Sequence, residues 1–81
     1  MRFLIVLLRN NRMEINYFND TDTLLLVFSQ NPVVETKDLG ENVLIDLDDA
    51  GRPVALTIEH AQSFTDVRDV SFRNILASQP A

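Results

Sequence analysis

Acidic residues crowd a short polar segment, Asp46-x-Asp48-Asp49-x-Gly51, whose pattern resembles the start of a calcium-binding loop. An EF-hand loop needs an oxygen ligand at its fifth position and a bidentate glutamate at its twelfth. Counted from Asp46, those two positions hold Ala50 and Thr57, and neither supplies a carboxylate. The segment therefore predicts a turn with solvated carboxylates and no calcium site.

Two further groups of polar residues could do chemistry, and each has a simpler structural explanation. Glu59 and His60 are neighbours and could in principle form an acid–base couple. Adjacent strand residues point to opposite faces, and no nucleophile lies near them in the sequence, so we predict a surface or capping role. Residues 19–22, Asn-Asp-Thr-Asp, offer oxygens to a cation, but such short side chains also bond the backbone of a turn, which is what we predict.

The composition excludes several classes of site. The chain has no cysteine and one histidine, so neither a cysteine-based nor a histidine-rich zinc site can form within one chain. Its two glycines, Gly40 and Gly51, are too few for a Walker loop or a dinucleotide-binding fingerprint. We therefore predict no catalytic, cofactor-binding or metal-ligating residues, and we expect that the protein is not an enzyme.

Charge and length restrict the kinds of partner. Twelve acidic and seven basic residues give a net charge of −5 at pH 7, which disfavours binding to nucleic acid or to an anionic membrane. A chain of 81 residues makes one small domain that buries only about 60–65% of its unfolded surface. Without disulfides, oligomerisation is the common remaining source of stability. The absence of cysteine is compatible with a reducing cytoplasm, where we expect the protein to act.

The first twelve residues differ from the rest of the chain. Residues 3–8 form an apolar run between Arg2 and Arg9 that is shorter than the core of a secretory signal or a membrane span. The run predicts an extra strand or a frayed apolar extension, and Met13 is a candidate for the natural start. We accordingly predict an extension over residues 1–12, a single domain over residues 13–77 and a frayed tail over residues 78–81.

Downstream of the extension, the pattern is that of short strands separated by polar turns. The predicted strands cover residues 13–17, 23–28, 33–36, 43–47 and 54–58. The last two flank a polar turn and make a β-hairpin, in which Gly51 is the natural residue for a positive φ. A further turn is predicted at residues 38–41.

Beyond Glu59 the spacing of apolar residues changes from that of a strand to that of a helix. The residues at helical spacing are Ala61, Phe64, Val67, Arg68, Ser71 and Ile75. They predict a helix that is capped by Thr65 or Asp66 and runs to about Ala77. Arg68 and Arg73 are expected on its exposed, mixed-charge face.

The predicted fold class is α+β, a small antiparallel β-meander of about four or five strands followed by a C-terminal helix. One face of the sheet is predicted to be strongly apolar. Its members are Ile15, Tyr17, Leu24, Leu26, Val43, Ile45, Val54, Leu56 and Ile58.

Several short motifs in the strands together resemble a known family. They are Met13-Glu14-Ile15-x-Tyr17, Asp22-x-Leu24-x-Leu26, Val34-x-Thr36, Val43-x-Ile45-Asp46-x-Asp48-x-x-Gly51 and Val54-x-x-x-Ile58-Glu59-x-Ala61. Over residues 13–61 the chain resembles the small prokaryotic proteins catalogued as domain of unknown function 2283. The chain departs from that pattern at Leu25, where the family often has tyrosine, and at Ala55-Leu56-Thr57, where it often has glycine.

The resemblance implies a fold but no activity, because the family has no established one. We expect a small non-enzymatic protein-interaction module that self-associates, most simply as a homodimer that covers the sheet face of Leu25 and Val27, with Leu44 and Ala55 as neighbours. Some members of the family are encoded beside small toxin-like proteins, so one alternative is an antitoxin-like partner of a small toxin. Another alternative is a small-ligand-binding or enzymatic site in a dimer cleft.

Overall fold

Five antiparallel strands and one short 3₁₀ turn are the regular elements of the described residues. A computed structural model describes residues 12–76. The strands are β1 (Glu14–Phe18), β2 (Thr23–Val27), β3 (Glu35–Gly40), β4 (Val43–Leu47) and β5 (Pro53–Glu59), followed by the 3₁₀ turn Ala61–Ser63. The predictions for the apolar run at residues 3–8 and for the tail at residues 78–81 lie outside the described residues.

The strands are joined in the order β1-β2-β5-β4-β3, so the predicted simple meander is wrong. β2 pairs with β5, and the chain crosses to the far edge before β3 begins, which is a Greek-key connection. The physical reason lies in the partners that each strand offers. β2 is apolar on both faces and fits beside the apolar strand β5, whereas a meander would pair it with the polar strand β3.

β3 differs from the prediction because little in its sequence marks it as a strand. It begins at Glu35 and runs through the predicted turn at residues 38–41, and all six of its residues are exposed. Its position is set by pairing with β4, where the Thr36 hydroxyl donates a hydrogen bond to Asp46 Oδ1 at 2.6 Å. An edge strand that is exposed on both faces has no alternation of apolar and polar residues for a sequence pattern to detect.

The predicted C-terminal helix is absent from the described residues, so the fold is mostly β and not α+β. Asp66 does bond nearby backbone, but in a turn: its Oδ1 accepts a hydrogen bond from the Arg68 N–H at 3.0 Å, and its carbonyl accepts one from the Asp69 N–H at 3.1 Å. Aspartate side chains favour such turns over helix, and β-branched residues such as Val67 are also weak helix formers. Residues 71–76 continue without regular structure.

The strand register divides the side chains of the sheet between two faces, since directly paired residues lie on the same face. One face, here called the apolar face, carries Ile15, Tyr17, Leu24, Leu26, Val43, Ile45, Leu56 and Ile58. The predicted grouping of these eight residues is confirmed. Val54, the ninth member of the prediction, lies at a register shift between β4 and β5 and is 6% exposed.

The sheet forms a single layer whose two faces are both open within the described residues. The buried hydrophobic side chains are Val54, Ala55 and Ala61, and no large side chain is fully buried. The strand residues of β2 and β4 are all half-buried, because their neighbours in the sheet cover their sides but nothing covers their tips. Packing of the sheet therefore requires another layer.

Candidate functional site

The acidic turn after β4 is held together by one buried carboxylate. Asp48 is 6% exposed, and its Oδ1 accepts hydrogen bonds from the N–H groups of Ala50 and Arg52, each at 2.9 Å. Its Oδ2 accepts a hydrogen bond from Asn31 Nδ2 at 2.9 Å. Asp48 thus fastens its own turn and ties it to the crossing segment between β2 and β3. The prediction of solvated carboxylates is wrong for this residue.

The electrostatics of Asp48 follow from these donors. The hydrogen bond from the Arg52 backbone, and next the one from Asn31, hold the pKa of the Asp48 carboxyl below its ordinary value of 3.8. Both carboxylate oxygens point at N–H donors, so they are not presented to a cation. Gly51 completes the turn with a φ of 77°, as the sequence predicted.

A second polar cluster fastens the 3₁₀ turn to the hairpin between β1 and β2. The Tyr17 hydroxyl donates a hydrogen bond to Asp22 Oδ1 at 2.6 Å, and Gln62 Nε2 donates one to the Tyr17 oxygen at 2.6 Å. The Gln62 backbone N–H donates to Asp22 Oδ1 at 3.1 Å, and the Ala61 N–H donates to the Asp22 carbonyl at 3.0 Å. We call these three residues, Tyr17, Asp22 and Gln62, the clasp.

The clasp was not found from the sequence, because its members lie up to 45 residues apart. Asp22 belongs to the predicted turn at residues 19–22, but its carboxylate is used by the clasp. The hydrogen bond to Asp22 raises the pKa of Tyr17 above its ordinary value of 10.0, while the one from Gln62 opposes this rise. The Tyr17 hydroxyl, the Asp22 carboxylate and Gln62 Nε2 each bond another member of the clasp, which is the signature of a structural link.

The remaining sequence candidates are not brought together. His60 is exposed and has a left-handed backbone with a φ of 55°, and its side chain makes no capping hydrogen bond to the 3₁₀ turn. Glu59 and Arg73 are also exposed. Within residues 12–76 no three His, Cys, Asp or Glu side chains converge in a way that could hold a metal ion.

Charge is distributed unevenly over the two faces of the sheet. Among the described residues, this distribution is the feature that most resembles a functional surface. The charged strand residues are Glu14, Glu35, Lys37, Asp38, Asp46 and Glu59. Glu35 and Lys37 share the apolar face, but both lie on the edge strand β3. The centre of the apolar face therefore carries no charge. The face is also accessible to solvent, since Ile15 on its edge strand β1 is 48% exposed.

The opposite face combines an apolar centre with a rim of carboxylates, and we call it the acidic face. Its centre consists of Leu25, Val27, Leu44, Ala55 and Thr57, and its carboxylates are Glu14, Asp38, Asp46 and Glu59. None of the described strand residues on this face is basic. Glu14 forms an ion pair at 3.7 Å with Arg12, which precedes β1.

Comparisons with known proteins place the chain in a family and give it no activity. No helix within residues 12–76 is long and apolar enough to cross a membrane. No curated protein and no solved structure matches the chain. A family profile described as "Protein of unknown function (DUF2283)" matches residues 14–62, which is more than half of the 81 residues. It covers all five strands and both clusters described above, and confirms the resemblance drawn from the strand motifs. The chain therefore belongs to the DUF2283 family.

Proposed function

We propose that this protein is a non-enzymatic protein-interaction module that forms a homodimer through its apolar face. The observation that carries the proposal is the uncharged centre of that face on a sheet with no second layer in the described residues. Burial of apolar surface is worth about 25 cal/mol per Å², so an open face of several hundred Å² forgoes on the order of 10 kcal/mol. That is comparable to the whole stability of a domain.

A second copy of the chain is the simplest cover for the apolar face. A twofold contact buries the same surface on both partners, and a neutral apolar surface is complementary to itself. The acidic face is not, because self-association there would bring two sets of carboxylates together. The distribution of charge thus favours the apolar face as the dimer interface.

The polar clusters support a non-enzymatic role. The carboxylate of Asp48 and the groups of the clasp are used in hydrogen bonds that hold turns in place. The absence of cysteine from the sequence suits a reducing compartment, and we propose the cytoplasm.

Neighbouring residues of β1 provide a matched pair of variants to test the interface. Ile15 lies on the apolar face and Asn16 on the acidic face. Ile15 is 48% exposed, so Ile15→Asp removes little packing within one chain but places a charge in the dimer interface. We expect the wild-type protein and Asn16→Asp to show the mass of two chains by light scattering at micromolar concentration.

Ile15→Asp should remain folded by circular dichroism and should show the mass of one chain at the same concentration. A wild-type mass of one chain would refute the proposal. A dimer that Ile15→Asp does not weaken would show that the interface lies elsewhere.

A further inference from the structure

The acidic face remains open after the apolar faces of two copies have paired, and its features restrict what can cover it. Leu25 and Leu44 flank Thr57 across the middle of the sheet, and each of the three is only half-buried. The four carboxylates around them favour an occupant that carries apolar side chains and positive charge but no carboxylate at its point of contact.

The same chain carries a segment of this kind, which we call the arm, residues 64–76. Its exposed large hydrophobic residues are Phe64 at 60%, Val70 at 61%, Phe72 at 83%, Ile75 at 75% and Leu76 at 83%. Residues 70–76 contain a single charge, Arg73, which is positive. Nothing within residues 12–76 covers this apolar stretch.

The dimensions of the arm and of the sheet agree. Extended backbone rises about 3.3 Å per residue, so residues 70–76 span roughly 20 Å. Strands lie about 4.8 Å apart, so the five strands of the sheet measure roughly 19 Å from the first axis to the last. In extended backbone Val70, Phe72 and Leu76 project to one side, and Arg73 projects to the other, from where its long side chain can reach the rim.

We infer that the arm of one copy lies in extended form across the acidic face of the second copy, so that the dimer exchanges its arms. This inference rests on the proposed dimer through the apolar face. We favour exchange of the arms over an arm that folds back onto its own acidic face, because the hydrophobic residues of the arm are exposed and do not pack on their own sheet. With the apolar faces paired, the acidic face of the second copy lies on the outer side of its sheet, two layer spacings of about 10 Å from the first sheet. Residues 64–69 span about 20 Å when fully extended, so they cover this distance once the turn at Asp66 opens.

The area of the interface supports the exchange. Five strands of about five residues form a rectangle of roughly 400 Å², while a stable complex buries about 800 Å² on each partner. The apolar face alone therefore makes a small interface. A buried Phe72 adds about 150–250 Å² for each arm, and the acidic face beneath it buries a similar area, which brings the dimer toward the usual range.

Disulfide trapping tests the inference directly, because the chain has no cysteine of its own. Asn74→Cys lies on the same side of the extended arm as Phe72, and Thr57→Cys lies at the centre of the acidic face. After mild oxidation of the double variant, we expect a covalent dimer on a non-reducing gel. The control combines Asn74→Cys with Asp49→Cys, which is exposed in the turn after β4 and lies on neither face of the sheet, and it should give little covalent dimer.

A second measurement uses single variants of the full chain. Phe72→Ser should raise the dissociation constant of the dimer at least about tenfold, and Ser71→Ala should leave it unchanged. A dimeric mass without the covalent dimer would overturn arm exchange but leave the proposed function intact. The acidic face would then be available to a separate basic partner. A cross-link within a single chain would show that the arm folds back and would also overturn the exchange. A monomeric wild-type protein would refute both proposals.

Discussion

At the scale of single residues, the turn between β4 and β5 is stabilised by the backbone geometry of one residue and by the carboxylate of another. Gly51 provides the positive φ that the turn requires, and Asp48 binds the N–H groups that the turn exposes. The role of Gly51 could be predicted, because it depends on its immediate neighbours. The burial of Asp48 could not, because it depends on Asn31, seventeen residues away.

Gly51→Val should destabilise the protein by about 1–2 kcal/mol, because a β-branched residue is strained at positive φ. An added Cβ would meet no atom within 4 Å, so the cost arises from the backbone and not from a clash. Gly51→Asn is the control, since asparagine tolerates this conformation better. Urea denaturation of the three proteins measures the difference, and equal stabilities would contradict the turn geometry.

Asp48→Asn should lower the melting temperature at neutral pH by about 5 °C or more, the scale expected for losing a buried hydrogen bond in a small domain. Asparagine can still accept hydrogen bonds from the turn, but its amide then faces the Asn31 amide, donor against donor. Asp49→Asn, in an exposed neighbour, should have little effect.

The pH dependence of Asp48 gives a second readout of the same variant. Because the pKa of Asp48 is lowered by folding, its contribution is fully present above the unfolded pKa near 3.8 and is lost as the pH falls through the folded value. The melting temperature of Asp48→Asn should therefore fall less steeply with acid than that of the wild-type protein. Parallel acid profiles would show that the carboxylate is not held as described.

At the scale of elements, the pattern of apolar and polar residues predicted the half-buried strands correctly. It was misleading for segments that are exposed. β4 and β5 are mostly apolar segments on either side of a polar turn, and their prediction needed only local information. β3 is exposed, and the crossing before it depends on which strand β2 prefers as a partner. The predicted helix failed for a related reason, since its apolar spacing had no surface to pack on and Asp66 forms a turn instead.

The clasp offers a spectroscopic test at this scale, because Tyr17 is the only tyrosine and the chain has no tryptophan. The pKa of Tyr17 is raised by folding, so the hydrogen bond contributes fully below the unfolded pKa near 10.0 and is lost as the pH rises through the folded value. Ultraviolet titration should show tyrosinate forming at higher pH in the folded protein than in urea.

Variants of the two partners should move that titration in opposite directions. Asp22→Asn, which tolerates the φ of 55° at this position, should lower the pKa of Tyr17. Gln62→Ala should raise it, because Gln62 opposes the effect of Asp22. A pKa that neither variant changes would mean that the clasp does not form in solution.

At the scale of the whole molecule, residues 12–76 form a single-layer sheet with two open faces, which is an incomplete packing unit. Length and composition already indicated oligomerisation, because a small chain without disulfides needs another source of stability. The sequence pattern alone favoured a dimer through the face of Leu25 and Val27, and the choice of face for the proposed dimer could not be made from composition. It depends on the register that places Glu14, Asp46 and Glu59 together on one face and leaves the centre of the other without charge.

The stability of such a molecule should depend on its concentration, because unfolding of a dimer releases two chains. For a dimer of this size, a tenfold increase in protein concentration should raise the melting temperature by about 4 °C. Ile15→Asp should lower the melting temperature and abolish this dependence, whereas Asn16→Asp should retain it. Calorimetry over a hundredfold range of concentration measures both effects. A wild-type melting temperature that stays constant over that range would mean that one chain is stable alone and that the proposed dimer does not form.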